Sequence, residues 1–424
     1  MNIKVHRGLE QIGGCITEIS TKRGTKILID LGSNLPGSGK EDFTSDDIKR
    51  ITSGVDAIFY THYHGDHVGF LADVDKTIPQ YIGEGAKEIM LCKYNALAAH
   101  GDYSKELEAV NRMNTYKADE AITCFGDIVI TPYYCSHSAF DAYMFKIEAE
   151  GKTILHTGDF RGHGYMGSKL IPMLNKYVKQ VDVLITEGTM LGRKTEAVKT
   201  ERGIREEVAE VLKKHKYVFA LGSSTDIDRL ASFHAACKQT DRYFYVDRFQ
   251  ESVLDIFTKY TTSSLYDFSN KGKGKTIFVQ WEYWHHKKES VVSEMMRRGF
   301  LMPIRCSAEH LVKSMMTLYT DEKPVLIYSM WNGYWKGSKE QKLESVLSIR
   351  SLFDPDSIFE IHTSGHADCS TLSEVCLAVN PRLAIIPIHR DKGADYCSLE
   401  LPECMKEKVI TQSASVHGVE IIIK

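Results

Sequence analysis

A chain of 424 residues is too long for one small domain and fits two, or one large domain carrying an insertion. With 43% hydrophobic and 26% charged residues it can bury a sizeable core, which excludes a disordered or fibrous polypeptide. Its 53 basic and 56 acidic side chains nearly cancel, so a polyanion would have to be held by a local patch or by bound metal.

Residues 1–14 lack the basic segment and apolar run of a signal peptide, and no stretch approaches the roughly 18 apolar residues of a bilayer span, so no membrane association is expected. The first third reads as short strands. Residues 12–19 and 25–31 flank the charged turn Lys22-Arg23-Gly24, and 55–60 is a compact apolar run ending at a histidine cluster. Residues 121–135, 142–147, 152–156 and 181–186 have the same β character. From Lys194 the texture alternates between helix and strand. Residues 200–215 place Ile204, Val208, Val211 and Leu212 on one helical face, 217–221 is a strand, 226–238 a helix and 243–246 a strand. An aromatic strand is expected at 276–284, another strand at 324–329 and a helix at 339–352. That alternation predicts a parallel sheet. Strand character returns at 358–361 and 383–388 around a helix at 371–379, where Thr371 and Glu374 have the spacing of a capping box. The simplest organisation is one domain built from residues 1–192 and 358–424, interrupted by an α/β domain over 193–357.

Ten scattered cysteines without a CxxC pair point to reduced, structural thiols in a cytoplasmic protein. The sharpest chemical signal is Thr61-His62-Tyr63-His64-Gly65-Asp66-His67, between a buried strand and a helix-like stretch. His62 and His64 project to one side of an extended backbone, and Asp66 and His67 open the following helix. Three imidazoles and a carboxylate so close together suit zinc better than magnesium or calcium, which prefer all-oxygen shells. Further donors stand at strand ends downstream: His137 in Ser136-His137-Ser138, Asp159 in His156-Thr157-Gly158-Asp159, and His389 after 383–388.

These motifs resemble the metallo-β-lactamase superfamily. The runs Ser136-His137-Ser138-Ala139-Phe140-Asp141 and Ile154-Leu155-His156-Thr157-Gly158-Asp159-Phe160-Arg161 are similar to those of its β-CASP nucleases, a group that includes ribonuclease J and the pre-mRNA 3′-end processing endonuclease. Glu187 in Leu184-Ile185-Thr186-Glu187-Gly188-Thr189 stands where that group has its acidic motif. His362-Thr363-Ser364-Gly365-His366-Ala367 looks like its returning histidine motif and Pro387-Ile388-His389 like its last. In the insert the likeness rests on Ala220-Leu221-Gly222-Ser223-Ser224 with Arg229. His389 is followed by Arg390-Asp391, not by the Gly-Glu common in the group, and no C-terminal domain of the ribonuclease J kind is expected.

The resemblance implies an α/β fold, an αββα metallo-β-lactamase sandwich with an inserted β-CASP-like α/β domain. It implies two Zn2+, with Mn2+ as the alternative: one on His62, His64 and His137, the other on Asp66, His67 and His389, with Asp159 bridging. Asp66 would orient the attacking water, His366 would protonate the leaving oxygen, and Glu187 would keep that imidazole charged. Ser364-Gly365, and Ser223-Ser224 in the insert, have strand–loop–helix settings in which backbone amides could hold a phosphate, or could simply form a capped turn. Trp281, Trp284, Trp331 and Trp335, interleaved with lysines, could stack bases or pack a core, and Lys271, Lys273 and Lys275 read as a solvated turn. The leading expectation is a dinuclear-metal hydrolase of phosphodiester bonds, its partner a single-stranded RNA, with an oligomer left open. The alternative is a hydrolase of a small-molecule phosphodiester, lactone or thioester, favoured by the lack of net positive charge. A non-catalytic RNA-binding partner is disfavoured because all seven ligand positions are filled.

Overall fold

A computed structural model describes residues 1–35, 38, 41–124, 126–193, 198–268, 276–279, 292–410 and 419–423, in two units: 1–197 with 365–424, and 198–364.

In the first unit the N-terminal strand follows a period of two. Ile3 and Val5 of β1 (Asn2–Arg7) are buried, while Lys4 and His6 are half-exposed. Its first sheet runs β19-β1-β2-β3-β4-β5-β6. After β1 come β2 (Ile16–Ser20), β3 (Lys26–Ile29), β4 (Ala57–Phe59), β5 (Gln80–Gly83) and β6 (Asn114–Tyr116), and β19 (Val419–Ile422) closes the order at the other edge. The second sheet, β18-β11-β10-β9-β8-β7, comprises β7 (Ile122–Cys124), β8 (Ile128–Cys135), β9 (Ala142–Ala149), β10 (Lys152–His156), β11 (Val183–Glu187) and β18 (Ala384–Ile388). Ile19, Ile27 and Phe59 of the first sheet meet Phe145, Ile154, Ile185 and Ile386 of the second in one core. The neighbouring residues along three of those second-sheet strands face the other way. Leu155, Leu184 and Ile385 pack on Leu174, Val178 and the helix Cys369–Val379 through Leu372, Val375 and Cys376. Burial on both faces is why 181–186 and 383–388 read as continuous apolar runs. Helices Ser45–Thr52 and Glu84–Ala98 bury Ile48, Ile51 and Ile89 outside the inter-sheet core, and the unit is an αββα sandwich.

The second unit is an α/β domain around a wholly parallel sheet, β14-β13-β15-β12-β16-β17. Its strands are β12 (Tyr217–Leu221), β13 (Tyr243–Asp247), β14 (Thr276–Val279), β15 (Phe300–Ile304), β16 (Val325–Tyr328) and β17 (Ile358–Glu360). Thr200 and Asp226 cap the helices Glu201–Lys214 and Ile227–Thr240, each accepting a backbone N–H three residues on. Arg229 and Glu201 are both buried, with Arg229 Nη2 at 3.0 Å from Glu201 Oε1, and Arg229 also donates to the carbonyls of Ser329 and Thr363. Breaking a buried ion pair strands the remaining charge. Arg229→Ala should therefore lower unfolding free energy by about 3–5 kcal/mol, read by denaturant titration.

The structure corrects the sequence reading in several places. The insert runs from 198 to 364 rather than 193 to 357, because β17 pairs in parallel with β16 and so belongs to the second unit. The β character expected at 121–135 is borne out as two strands, β7 and β8, that pair antiparallel. The helix expected at 371–379 begins at Cys369, and its cap is Asp368, which accepts from Thr371 N at 2.7 Å. Thr371 is therefore a recipient of the cap and not the capping residue. Of the strand expected at 276–284 only 276–279 is described. Trp281, Trp284, Lys271, Lys273 and Lys275 lie outside the described residues.

Candidate metal centre

β4 delivers the chain from the core into the histidine loop, and one carboxylate organises that loop. Asp30, fully buried after β3, accepts from Thr61 N at 2.7 Å and takes the Thr61 hydroxyl at 2.9 Å. With that proton spent on Asp30, the Thr61 oxygen accepts from His62 Nδ1 at 3.0 Å, which leaves His62 Nε2 unprotonated. Asp30 also holds His67 Nδ1 at 2.8 Å. His64 stands at the N-cap position of the short helix Gly65–Val68 without a side-chain cap, and that helix carries Asp66 and His67. Gly32 makes the close approach possible, since a Cβ there would lie 1.7 Å from the Asp66 carbonyl oxygen.

The remaining donors come from the second sheet. His137 follows β8, donates Nδ1–H to Gly365 O at 2.7 Å, and brings Nε2 to 3.2 Å from His64 Nδ1. Asp159 follows β10. Its Oδ2 lies 3.1 Å from His67 Nε2, 3.4 Å from His389 Nε2, 3.9 Å from His137 Nε2 and 4.0 Å from His62 Nε2. His389 ends β18 in a left-handed conformation, φ 49°, with Nε2 at 3.1 Å from Asp66 Oδ2. The structure thus brings His62, His64, Asp66, His67, His137, Asp159 and His389 together. Two subsets, His62–His64–His137 and His62–His67–Asp159, have all ligand atoms within 4.8 Å of one another.

These donors fit a metal. His62 Nε2 is buried with no hydrogen-bond partner, an arrangement that is costly for a bare imidazole nitrogen and suited to a cation. Burial, with neighbouring imidazoles, pushes His62 and His137 well below the usual histidine range, and burial takes His64 down to about 4, so these rings are neutral and ready to ligate. Burial would raise Asp66 and Asp159, but the facing imidazoles His67 and His389 hold both carboxyls low. His67 is the exception. Burial opposes its charge, yet Asp159, Asp30 and Asp66 raise it well above the ordinary value, so a proton there balances carboxylates that a cation would otherwise neutralise.

Beside this cluster, Glu187 at the end of β11 is fully buried and accepts backbone N–H groups from Phe160, Thr189 and Ala367 at 3.1, 3.4 and 3.3 Å. Its Oε2 lies 3.1 Å from His366 Nδ1, and Asp159 Oδ2 lies 3.7 Å from the same nitrogen. Burial lowers His366, and the two carboxylates more than offset it, so the imidazole is raised above its ordinary value. Thr189 Oγ1 sits 2.8 Å from His389 Nδ1 and 3.3 Å from His366 Nδ1.

Other expected residues are placed differently. Gly365 contributes its carbonyl to His137, and with Ser364 it precedes the capped helix by several residues, so neither stands at a helix N-terminus. Ser223 closes a turn on Thr225, Ser224 O accepts from Gln250 Nε2 at 2.9 Å, and the helix beyond is capped by Asp226. That is a capped turn. Trp335 lies under Arg350, whose guanidinium carbon is 3.4 Å from its ring centroid, so this ring face is taken by packing. The Arg390-Asp391 loop is closed by Arg390 Nη1 donating to Ala394 O at 2.6 Å.

Sequence reasoning missed three contributors. Asp30 and Thr189 set ring orientations, and the buried Cys15 thiol, read only as structural, has its sulfur within 4.8 Å of ligand atoms of His67 and His389. An aspartate closing an apolar strand in Ile29-Asp30-Leu31-Gly32 was the available signal for the first. Asp30→Asn should weaken zinc binding by about 10–100-fold, measured by chelator competition, because carboxylate support of a ligating imidazole is lost.

Fold and donor cluster together define a metallo-β-lactamase-type metal-site protein. Residues 18–178 match the family described as the Metallo-beta-lactamase superfamily. The chain is similar to an RNase J-like protein of Methanocaldococcus jannaschii, 28% identical over 238 residues, 53% of each chain. It is also similar to ribonuclease J of Helicobacter pylori, 28% identical over 36% of this chain and 22% of that one. A third relative is cleavage and polyadenylation specificity factor 73 of Drosophila melanogaster, 25% identical over 39% of this chain and 25% of that one. The matches thus span about half of the archaeal relative and about a quarter of the other two. A crystal structure of a protein of unknown function from Enterococcus faecalis shares the fold, with a TM-score of 0.72 at 16% identity, covering 100% of this chain and 99% of that one. Residues 18–178 thus carry a metallo-β-lactamase match, and the chain is similar over a third to a half of its length to the RNase J-like, ribonuclease J and cleavage-factor relatives. Among the described residues no helix is long and apolar enough to cross a membrane.

Proposed function

We propose that the chain is a dinuclear-metal hydrolase that cleaves phosphodiester bonds of single-stranded RNA. The observation that carries this reading is the gathering of imidazole nitrogens around Asp159 Oδ2, with His366 and its buried partner Glu187 alongside. His62, His64 and His137 would hold one Zn2+, and Asp66, His67 and His389 the other, with Asp159 shared. Bound there, the cations supply an acidified water near neutral pH and polarise a phosphoryl oxygen. Asp66 orients the attacking water. His366, held charged by Glu187, delivers its proton to the leaving oxygen, and the buried carboxylate keeps the ring from turning. The names of the archaeal, bacterial and insect relatives favour RNA, and ten free thiols suit a reducing, cytoplasmic setting.

Purified protein with Zn2+ or Mn2+ is expected to hydrolyse end-labelled single-stranded RNA, with loss of cleavage in His64→Ala and His366→Ala. Wild-type protein that binds both ions, cleaves no RNA and hydrolyses a small phosphodiester, lactone or thioester would overturn the substrate assignment while leaving the metal site intact.

A further inference from the structure

Thr189 lies two residues beyond β11 and is buried, and its hydroxyl touches three groups at once: His389 Nδ1 at 2.8 Å, His366 Nδ1 at 3.3 Å and the carbonyl oxygen of His389 at 3.2 Å. A hydroxyl has one proton and two lone pairs. The carbonyl can only accept, so the Thr189 proton goes there. Both lone pairs are then filled by ring N–H donors, which puts a hydrogen on Nδ1 of each histidine. His366 Nδ1–H is shared with Glu187 Oε2 at 3.1 Å, and a carboxylate likewise can only accept. The nitrogen left on His389 is Nε2, which faces Asp66 Oδ2 at 3.1 Å and Asp159 Oδ2 at 3.4 Å, where a cation belongs. The nitrogen left on His366 is also Nε2, on the opposite edge of the ring from Glu187.

We propose that Thr189 is a positioning residue whose hydroxyl sets the Nδ1–H tautomer of His389 and accepts from the His366 Nδ1–H that Glu187 also holds, tying a cation-holding ring to the proton-donating ring. The assignment rests on the dinuclear hydrolase reading for its use, but the hydrogen-bond pattern stands without it. It differs from the Asp30 arrangement, in which a carboxylate touches the His67 ring directly and reaches His62 only through Thr61. Here one uncharged hydroxyl serves two rings of different duty, so losing it should disturb cation retention and proton delivery together.

The test uses the full chain with Thr189→Val, which keeps the shape and loses the hydroxyl, and Thr189→Ser, which keeps the hydroxyl. Should Thr189→Val fail to fold by circular dichroism, Thr189→Ala takes its place. Zn2+ affinity is read by competition with a chromophoric chelator, ring tautomers by histidine 15N NMR of the zinc-loaded protein, and RNA cleavage across pH. In the wild type both rings are expected to carry Nδ1–H. Thr189→Val should weaken the more loosely held Zn2+ about 10–100-fold, mix the His389 tautomers and slow cleavage, and Thr189→Ser should restore most of each. A wild-type His389 ring protonated at Nε2 and bare at Nδ1, or a Thr189→Val protein with unchanged Zn2+ affinity and ring signals, would overturn the proposal, as would a serine variant no better than valine. If no protein cleaves RNA, the hydrolase reading falls, while the zinc and ring-nitrogen measurements still decide the role of Thr189.

Discussion

Asp159→Asn should leave the chain folded, depleted of cations and without measurable hydrolysis. The amide keeps the size of the side chain but replaces an anionic oxygen that lies within 4.0 Å of nitrogens from His62, His67, His137, His389 and His366. Both proposed ion positions lose their common donor, so the effect should exceed the roughly 10–100-fold typical of residues that only support a ligand. Metal content by mass spectrometry after dialysis, beside the RNA cleavage rate, checks it. An Asp159→Asn protein that retains both ions would remove the shared-ligand assignment.

Glu187→Gln is expected to shift the alkaline limb of the rate–pH profile to lower pH. His366 is raised because the carboxylates of Glu187 and Asp159 outweigh the effect of burial. A proton donor must be charged, so activity persists up to that raised value and falls as pH climbs through it. Removing the Glu187 charge lets burial count for more, and the fall should begin nearer to, or below, the ordinary imidazole value of about 6.5. His366→Ala removes the donor altogether and should cost about 10²–10⁴-fold in kcat, with zinc content unchanged. If Glu187→Gln scales the whole profile down without moving its alkaline limb, Glu187 serves the fold and not the proton.

The features legible in the sequence and those hidden from it are separated by a physical divide. Candidate metal donors announce themselves by type and spacing. His62, His64, Asp66 and His67 are contiguous because one strand end and one short helix present them, and His137, Asp159 and His389 each stand just past a strand. The αββα layering was reached through the resemblance carried by the histidine motifs, and the parallel insert was legible because helices and strands alternate. Asp30 and Thr189 were hidden because their partners are remote in the chain: Asp30 meets His67 37 residues on, and Thr189 meets His389 200 residues on. The phosphate-loop reading of Ser364-Gly365 failed on a cap position, since Asp368 starts that helix. The second unit's end was misplaced because a three-residue strand such as β17 carries too short a pattern to show which sheet it joins.

The donors of the centre are divided between two layers. The His62–His67 loop hangs from the first sheet, and His137, Asp159 and His389 from the second. A pair of ions held across that divide would act as a rivet through the sandwich, added to apolar contacts such as that of Phe59 with Phe145. Chelation should therefore lower the melting temperature of residues 1–197 with 365–424, while the parallel-sheet unit, with no ligand of its own in the cluster, should melt as before.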